Sequence, residues 1–322
     1  MSDRYVGVDV GGTKIAVAVL ESGSLHHQGI QPTGAGDSEQ LIAEICSLIE
    51  DVGTEGVRAV GVGVPSVIDF ESGTARSSVN VPLADVPLRT VLGDRLGIPV
   101  FVDNDATVAA LAEACEDGEI RTQNLVMLTV GTGVGGGLVL NGRPYRGATG
   151  AAAELGHMLV GVDLSGDLPA PGNFPQRGSL ESVAAGSALD RLAQAAAAEH
   201  PGSHLGRQLA AGDEITGHDV VEGAKNGDQQ SIDLLATLGE RLGVGIANVI
   251  NALDPDVVAI GGGVSNAGDL LLEPARRAAQ GYVLPGVGTK TEIRLSRHGP
   301  TAGVLGAALL AKQELKRREE TN

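Results

Sequence analysis

The chain opens with Tyr5-Val6-Gly7-Val8-Asp9-Val10-Gly11-Gly12-Thr13-Lys14-Ile15-Ala16-Val17-Ala18-Val19-Leu20, two apolar runs joined by a glycine-rich turn. Short apolar runs rich in valine and isoleucine are typical of buried strands, so Tyr5–Val10 and Ile15–Leu20 predict two β-strands. Gly11–Lys14 predicts a tight turn between them. The fold therefore begins with a strand–turn–strand hairpin.

A second stretch repeats this order in the middle of the chain. Leu125–Val130 predicts a strand, Gly131–Gly137 a glycine turn, and Leu138–Leu140 a further strand. Two copies of one supersecondary unit indicate an internal duplication. We therefore expect two related lobes, residues 1–118 and 119–300, with a C-terminal helix over 301–322 that packs back on the first.

Predicted strands and helices alternate along the rest of the sequence, which indicates an α/β fold. The further strands are predicted at Val57–Val64, Ile98–Val102, Val257–Ile260 and Glu292–Ser296. Helices are predicted from Asp37 or Ser38, from Asp105 to about Glu116, and over Leu180–Glu199, Gln229–Leu253, Leu270–Ala279 and Thr301 to about Lys316. Gly161–Gly178 is rich in Pro, Gly and Asp and predicts a long loop.

The composition excludes several classes of protein. The 322 residues carry 23 Lys and Arg against 40 Asp and Glu, a net charge of −17, which repels phosphate backbones and anionic lipids. Aromatic residues make up 2 %, too few for stacking on single-stranded bases. The two cysteines give no disulfide framework, and the N-terminus shows no signal-peptide pattern. We expect a cytoplasmic protein that binds neither nucleic acid nor membranes.

The glycine turns are the first candidates for ligand binding. Gly131-x-Gly133-x-x-Gly136 matches the dinucleotide fingerprint in spacing, but a strand rather than a helix follows it, so that match fails. The sequence has no Walker loop. Both hairpin turns, together with Gly261–Gly263, favour phosphate binding through backbone amides. The alternative is that each is only a tight turn.

Polar residues at strand ends are the second group of candidates. Asp9 lies in an apolar strand, where a carboxylate needs a cation or donors. It either caps the turn or holds Mg²⁺ through water, because hard cations prefer oxygen ligands. Lys14 either contacts phosphate or is a solvated strand residue. Asn104-Asp105 follows a strand and opens a helix, so it is either an N-cap or part of a ligand crevice.

The third group lies in glycine-rich surroundings further along the chain. Glu154-Leu155-Gly156-His157 and Glu181 supply two carboxylates and one imidazole. A histidine of this kind is often a hydrogen-bonded structural group, and Glu181 also suits the first turn of a helix. From the residues alone, the chain is a nucleotide-binding α/β protein with a cleft lined by carboxylates.

Four motifs carry a family resemblance, and they occur in the family's order and spacing. They are Val8-Asp9-Val10-Gly11-Gly12-Thr13-Lys14, Asn104-Asp105-Ala106-Thr107-Val108-Ala109-Ala110-Leu111-Ala112-Glu113, Gly131-Thr132-Gly133-Val134-Gly135-Gly136-Gly137 and Glu154-Leu155-Gly156-His157. The chain resembles the sugar kinases of the ROK family (repressors, open reading frames and kinases), and among them bacterial glucokinases. The resemblance covers nearly the whole length.

The resemblance implies a fold, a cosubstrate, a metal and site residues. The fold is the actin-like, ribonuclease-H-like ATPase fold, with two lobes, each a mixed sheet flanked by helices, and the active site between them. Asp105 matches the catalytic base, and the cosubstrates are ATP with Mg²⁺. The matching phosphate and Mg²⁺ positions are Asp9, Gly11, Gly12, Thr13, Gly131, Thr132 and Gly133, with Lys14 beside them. The sugar positions are Asn80, Asn104, Asp105, Glu154, His157 and Glu181, and the adenosine loop is Gly261, Gly262 and Gly263.

Two departures from the family pattern concern zinc and the sugar. The family carries a Cys-x-Cys-Gly-x-x-Gly-Cys-Leu-Glu zinc segment, whose three cysteine positions are here Gly172, Phe174 and Ser179. None of these side chains is a thiolate, so we expect no structural zinc. Ser66 stands where relatives often have glycine, near the place where the resemblance puts the sugar. Both changes suggest a sugar pocket unlike that of an ordinary glucokinase.

These observations predict an ATP-dependent kinase for a primary hydroxyl of a hexose, glucokinase-like and yielding a sugar 6-phosphate. The alternatives are a kinase for an amino sugar (kanosamine-like) or for a sugar-like C7-cyclitol of secondary metabolism. A ROK-type transcriptional regulator is disfavoured because Gly11 leaves no room for a preceding DNA-binding helix-turn-helix, and a non-catalytic sugar-binding protein because Asp105 is retained. Polyphosphate is an alternative donor, and relatives suggest a homodimer or homotetramer.

Overall fold

The computed structural model describes residues 3–34, 36–78, 81–162, 165 and 172–321. Asn80, one of the predicted sugar residues, lies outside the described residues. The strands are β1 (Arg4–Val10), β2 (Lys14–Glu21), β3 (Ser24–Pro32), β4 (Val57–Val64), β5 (Ser66–Asp69), β6 (Thr74–Ser78), β7 (Val100–Asn104), β8 (Cys115–Glu116), β9 (Glu119–Ile120), β10 (Leu125–Val130), β11 (Val134–Leu140), β12 (Arg143–Pro144), β13 (Val257–Gly261) and β14 (Glu292–Leu295).

Ten α-helices and three 3₁₀ turns complete the described part of the chain. The helices are α1 (Ser38–Asp51), α2 (Leu88–Leu96), α3 (Asp105–Ala114), α4 (Leu180–Ala184), α5 (Gly186–Glu199), α6 (His204–Ala211), α7 (Gly217–Lys225), α8 (Gln229–Leu253), α9 (Asp269–Tyr282) and α10 (Ala302–Thr321). The 3₁₀ turns are Leu155–His157, Gly263–Ala267 and Gly299–Thr301. None of the helices in the described residues is long and apolar enough to span a membrane.

Two five-stranded sheets have the same strand order, which agrees with the predicted duplication. The first runs β3-β2-β1-β4-β7 and the second β12-β11-β10-β13-β14. In the first sheet, β1 pairs antiparallel with β2 and parallel with β4. In the second, β11 pairs antiparallel with β12, and β13 pairs parallel with β14. Each sheet thus combines a hairpin with parallel strands, as a mixed α/β fold requires.

Helices cover both faces of the first sheet. Alternate residues of each strand point to opposite faces, so each strand contributes side chains to both layers. Val6, Val8 and Val10 of β1 pack with the apolar stripes of α1 and α2. Tyr5 of β1 and Phe101 of β7 pack on the other face with α3 and α10. This alternation places Asp9 on the face of α3 and α10.

Helix α10 approaches this sheet closely, and glycines make the approach possible. A Cβ on Gly7 of β1 would overlap the carbonyl oxygen of Val304, and a Cβ on Gly61 of β4 would overlap that of Ala307. Gly306 of α10 is pressed against the backbone of Val108 in α3 in the same way. The sequence has 48 glycines among 322 residues, and part of that content serves helix–sheet packing rather than flexibility.

The chain divides into two compact units, each of which is held together by contacts among its own residues. The first comprises Met1–Met127, Gly137–Ala153 and Arg297–Asn322, and the second Leu128–Gly136 and Glu154–Ser296. Helix α10 packs on β1, β4 and α3 within the first unit. The second unit contains the long helix α8, whose Gly239 and Gly243 lie directly on α9. The predicted lobes, 1–118 and 119–300, remain a prediction.

Some predicted elements were wrong in their bounds. The strand expected at Ile98–Val102 is Val100–Asn104, so Asp103 and Asn104 belong to β7. The strand expected from Leu138 begins at Val134, which shortens the second glycine turn. The helix expected over Leu180–Glu199 breaks at Ala185, whose backbone is extended (φ −78°, ψ 168°). Strands β3, β5, β6, β8, β9 and β12 and helices α2, α6 and α7 were not predicted.

Candidate active site

The first glycine hairpin is closed by hydrogen bonds within the turn. The N–H of Gly11 donates to the carbonyl oxygen of Lys14 at 2.8 Å. Thr33, just after β3, donates its hydroxyl to the Gly11 carbonyl at 2.7 Å and its N–H to the Thr13 carbonyl at 3.0 Å. Gly12, Thr13 and Lys14 are exposed. The turn is therefore rigid at its base and open at its tip, and Thr33 is a support that the sequence did not reveal.

Asp9 lies one strand residue before this hairpin, facing the start of α10. A Cβ on Gly303 would overlap the Asp9 carboxylate, so glycine at 303 leaves room for that carboxylate. The pKa of Asp9 is raised to about 6, mainly by burial and in addition by the Asp105 carboxylate, while Lys14 opposes both. A cavity of about 100 Å³ lies here, lined among others by Asp9, Lys14 and Thr301.

The junction of β7 and α3 carries the predicted base. The Asn104 side-chain oxygen is the N-cap of α3 and accepts from the N–H groups of Ala106 and Thr107 at 3.0 and 3.1 Å. Its amide nitrogen donates to the Ser66 carbonyl at 3.4 Å. Asp105 Oδ1 accepts from the Ala106 N–H at 2.8 Å. Burial raises the pKa of Asp105, while its hydrogen bonds from Ala106 and Asn104 lower it.

Ser66 brings a hydroxyl to this junction that has no protein partner among the described residues. The residue is 5 % exposed, and its Oγ makes no hydrogen bond there. Its own carbonyl is the acceptor for Asn104. A buried hydroxyl without a partner is costly, so this group is suited to a hydrogen bond with a ligand.

The second glycine hairpin, β10–β11, is also closed by a hydrogen bond within its turn, although the acceptor is one residue nearer to the donor than in the first. The N–H of Gly131 donates to the Gly133 carbonyl at 2.9 Å, and the N–H of Gly186, at the start of α5, donates to the Gly131 carbonyl at 2.7 Å. Thr132 at the tip is exposed. The amides of Gly11 and Gly131, at matching places in the two hairpins, are thus both engaged within the protein.

Glu181 contacts this second hairpin. Its Oε2 accepts from the N–H of Val134 at 2.8 Å, and a Cβ on Gly133 would overlap that carboxylate. The residue stands in the first turn of α4, where a carboxylate is stabilised by the helix dipole. The predicted sugar ligand therefore also fixes the predicted phosphate turn.

The Glu154–His157 motif forms a 3₁₀ turn that lies on β11. A Cβ on Gly156 would overlap the Val134 carbonyl, which explains glycine between the two polar residues. The Glu154 carboxylate is 3.7 Å from His157 Nε2, and its side chain is 62 % exposed. His157 Nδ1 is buried without a hydrogen-bond partner in the described part of the chain.

Phe174, at one of the three family cysteine positions, contacts His157 by its ring. The ring centroids are 5.4 Å apart and the planes meet at 79°, an edge-to-face arrangement. Ser179, at another cysteine position, caps α4 by accepting from the N–H of Ser182 at 3.2 Å. Among the residues that the structure describes, no group of three or more His, Cys, Asp and Glu is placed to hold a metal.

Gly261–Gly263 ends β13 and turns into a 3₁₀ segment. Gly262 has φ +87°, and a Cβ there would overlap the Val130 carbonyl at the end of β10. The hydroxyl of Ser265 donates to the Gly262 carbonyl at 2.7 Å. This turn therefore needs glycine both for its backbone conformation and for its contact with β10.

The predicted site residues fall into two groups by compact unit. Asp9, Gly11–Lys14, Asn104 and Asp105 lie in the first unit, and the Asp105 carboxylate is close enough to Asp9 to contribute to its raised pKa. Gly131–Gly133, Glu154, His157, Glu181 and Gly261–Gly263 lie in the second.

Comparison with known proteins identifies the family of the chain. The model of the ROK family matches residues 5–314. The chain belongs to the ROK family. A glucokinase of Halalkalibacterium halodurans is 37 % identical, with 100 % of this chain and 99 % of the relative covered. An N-acetyl-D-glucosamine kinase of Escherichia coli is 35 % identical, covering 95 % of this chain and 98 % of the relative.

A solved structure supports the same assignment of fold. The ROK family glucokinase of Streptomyces griseus, crystallised with glucose and AMPPNP, superposes with a TM-score of 0.79 at 31 % identity, covering 96 % of this chain and 99 % of that one. The predicted ROK sugar kinase and its actin-like α/β ATPase fold are confirmed. The ROK protein is an ATP-dependent carbohydrate kinase.

Proposed function

We propose that this ROK kinase transfers the γ-phosphoryl group of ATP to a primary hydroxyl of a hexose, with glucose the first candidate. Support for the hexose comes from relatives named for glucose, whereas relatives named for N-acetyl-D-glucosamine, an acetylated amino sugar, support the alternative acceptor class. An amino sugar or a sugar-like C7-cyclitol is the alternative acceptor, because Ser66, Phe174 and the lost cysteines alter the family pattern around the sugar positions. Polyphosphate is the alternative donor.

The observation that carries the proposal is the position of Asp105. It is a partly buried carboxylate at the start of α3, with one oxygen held by the Ala106 N–H and its pKa raised by burial. A positioned carboxylate whose pKa is raised toward neutrality is a better proton acceptor at neutral pH. Asp105 takes the hydroxyl proton, the sugar oxygen bonds to the γ-phosphorus, and the bond to the ADP oxygen breaks.

Asp9 is suited to hold Mg²⁺ through water. Its carboxylate is partly buried, and the nearby Asp105 carboxylate disfavours its ionised form. A divalent cation relieves both effects, and hard cations take carboxylate and water oxygens as ligands. When bound, Mg²⁺ supplies neutralisation of the charge on the phosphoryl oxygens. The Asp9 carboxylate lies beside the first hairpin, whose exposed residues Gly12, Thr13 and Lys14 would contact the phosphates.

The sugar would be bound by Asn104, Glu154, His157 and Glu181, with Asn80 as a further predicted ligand. The structure limits what two of these side chains can offer. The Asn104 oxygen is used as the cap of α3, and its amide nitrogen already donates to the Ser66 carbonyl at 3.4 Å, so a sugar contact would have to share that amide. One oxygen of Glu181 is bonded to Val134. Ser66 Oγ in the first unit and His157 Nδ1 in the second are buried polar atoms that have no partner among the described residues, and a sugar hydroxyl could supply one to each.

The nucleotide would be bound by Gly11, Gly12, Thr13, Lys14, Gly131, Thr132 and Gly133 at its phosphates and by Gly261–Gly263 at its adenosine. The Gly11 and Gly131 amides are engaged within the turns, so these two glycines would shape the phosphate site, and the exposed tips, Gly12 to Lys14 and Thr132, would supply the donors to phosphate. We place the reaction in the cytoplasm, where ATP is present, and keep a homodimer or homotetramer as a prediction.

The direct test is a screen for phosphoryl transfer by purified protein. ADP release is measured with Mg²⁺, ATP and each of a set of hexoses, amino sugars and cyclitols, and product formation is repeated with polyphosphate as donor. The proposal expects the highest kcat/KM with ATP and a hexose that has a free primary hydroxyl. Turnover confined to sugars without one would contradict it.

A further inference from the structure

A buried ion pair lies next to the proposed base and is not among the residues assigned so far. Asp103 is 3 % exposed, and its Oδ2 accepts from Arg146 Nε at 2.7 Å. Burial raises the pKa of Asp103, and the Arg146 guanidinium opposes that rise. Arg146 follows β12 in the sequence, 43 residues from its partner, and belongs to the same compact unit. The pair therefore fastens a distant segment to the end of β7.

Asp103 also binds the backbone next to Asp105, so it connects Arg146 to the segment that carries the base. Its second oxygen, Oδ1, accepts from the N–H of Asn104 at 3.0 Å. Asn104 and Asp105 then bind the next amides, those of Ala106 and Thr107. Three consecutive side chains thus hold the turn between β7 and α3. Besides the pairing of β7 with β4, two side-chain contacts among the described residues join this turn to other segments: the 3.4 Å contact of Asn104 with Ser66 and the 2.7 Å charged contact of Asp103 with Arg146.

The guanidinium of Arg146 is itself fixed from two sides. Its central carbon lies 3.4 Å from the centre of the Phe70 ring, just after β5. Its Nη2 is 3.5 Å from Glu314 Oε1 on α10. Arg317 pairs with the other oxygen of Glu314 at 2.6 Å, is 55 % exposed, and has no contact with Asp103 among the described hydrogen bonds and ion pairs. An arginine so placed has little freedom, which makes it a rigid support.

We infer that Arg146, acting through Asp103, is a positioning residue for the base Asp105. The inference rests on the proposed role of Asp105. A carboxylate displaced by about 1 Å loses on the order of 10²-fold in rate, so a support two residues away affects turnover rather than nucleotide affinity.

The test compares steady-state kinetics of Arg146→Gln with those of Arg317→Gln, each measured at a temperature where the variant is folded. Arg317→Gln is the matched control, because it removes an arginine from the same charged cluster without touching Asp103. We expect Arg146→Gln to lower kcat at least about tenfold with KM for ATP within about twofold of wild type. Arg317→Gln should keep kcat within about twofold.

Two further variants separate positioning from stability. Arg146→Lys keeps the charge but loses the planar contact with Phe70, and should fold with an intermediate kcat. Asp103→Asn/Arg146→Gln leaves no buried unpaired charge, so its stability should exceed that of Arg146→Gln while its kcat remains low. A lowered melting temperature with wild-type kcat in Arg146→Gln and in the double variant would overturn the inference. Asp105→Asn is assayed in parallel: full activity there contradicts the base assignment, whatever Arg146 does.

Discussion

Glu181 Oε2 accepts a hydrogen bond from the N–H of Val134 at 2.8 Å, which joins a predicted sugar ligand to the glycine hairpin predicted to bind phosphate. From the sequence alone, we would expect substitution of Glu181 to change the kinetics with respect to the sugar and to leave nucleotide binding nearly unchanged. The contact changes that expectation, because loss of the carboxylate leaves the Val134 amide without its acceptor and frees the turn at Gly133. One residue should therefore influence both substrates.

Glu181→Ala should raise KM for ATP and for the sugar together, each by about 5- to 100-fold, the range expected when a buried partner is lost. Glu199→Gln, an exposed glutamate at the end of α5, is the control and should change neither. Steady-state kinetics with each substrate varied in turn makes the comparison. A higher KM for the sugar alone would show that the Val134 contact does not matter for the nucleotide.

Ser66→Ala should separate ligand binding from stability. The hydroxyl has no partner among the described residues, so its removal should leave the melting temperature of the free protein unchanged or slightly higher. If the sugar satisfies this hydroxyl, KM for the sugar should rise about 3- to 10-fold. Ser78→Ala is the stability control, because the Ser78 hydroxyl donates to the Pro65 carbonyl at 2.9 Å and its loss should lower the melting temperature. A lower melting temperature for Ser66→Ala with unchanged KM would mean a structural hydroxyl.

Asp9 should make the free protein less stable as the pH rises. Its pKa is about 6 in the folded chain against the ordinary 3.8, so the folded state binds the proton more tightly. The stabilisation from this proton is complete below pH 3.8 and is lost as the pH rises through about 6. At pH 7.5 the ionised carboxylate therefore costs on the order of 1–3 kcal/mol.

Asp9→Asn should thus melt a few degrees higher than wild type at about pH 7.5 and show no gain near pH 4. The same variant should have a lower kcat, since it loses the carboxylate assigned to Mg²⁺. Thermal unfolding without ligands, from pH 4 to pH 8, measures the difference, with the exposed Asp94→Asn as control. An equal gain at both ends of the pH range would show that the charge of Asp9 is not the cause.

The sequence allowed prediction of those parts of the site that are local in the chain. The Gly11–Lys14 turn between two strands and the Asn104 cap follow from hydrophobic patterning and turn chemistry, which act over a few residues. Strand β3 was missed because its residues are mostly polar and exposed, as suits an edge strand.

Contacts between residues that are distant in the sequence could not be predicted, because patterning and turn chemistry act only over a few residues. Gly303 makes room for Asp9, Thr33 supports Gly11, and Arg146 pairs with Asp103 only after the chain has folded. No local pattern distinguishes these residues from other glycines, threonines and arginines. The break of the predicted helix at Ala185 has the same origin, because the Gly186 amide bonds to Gly131 in a distant hairpin.

The purified protein should contain no structural zinc. Gly172, Phe174 and Ser179 offer no thiolate, and Phe174 contacts His157 through its ring instead. Elemental analysis should find far less than one zinc per chain, and prior treatment with a chelator, followed by return of Mg²⁺, should leave kcat unchanged. About one zinc per chain would contradict this prediction.

Phe174→Ala should raise KM for the sugar a few-fold through loss of the ring contact with His157, an effect of about 0.5–1.5 kcal/mol.

The most direct test of the central claim compares wild type and Asp105→Asn in ADP release with ATP, the preferred hexose and its 6-deoxy analogue. Asparagine keeps the oxygen that accepts from the Ala106 N–H but cannot take a proton. We predict turnover of the hexose by wild type, none of the 6-deoxy analogue, and a kcat about 10²–10⁴ lower in a folded Asp105→Asn. Wild-type kcat in Asp105→Asn, or equal turnover of the 6-deoxy analogue, would contradict a kinase that uses Asp105 as the base for a primary hydroxyl.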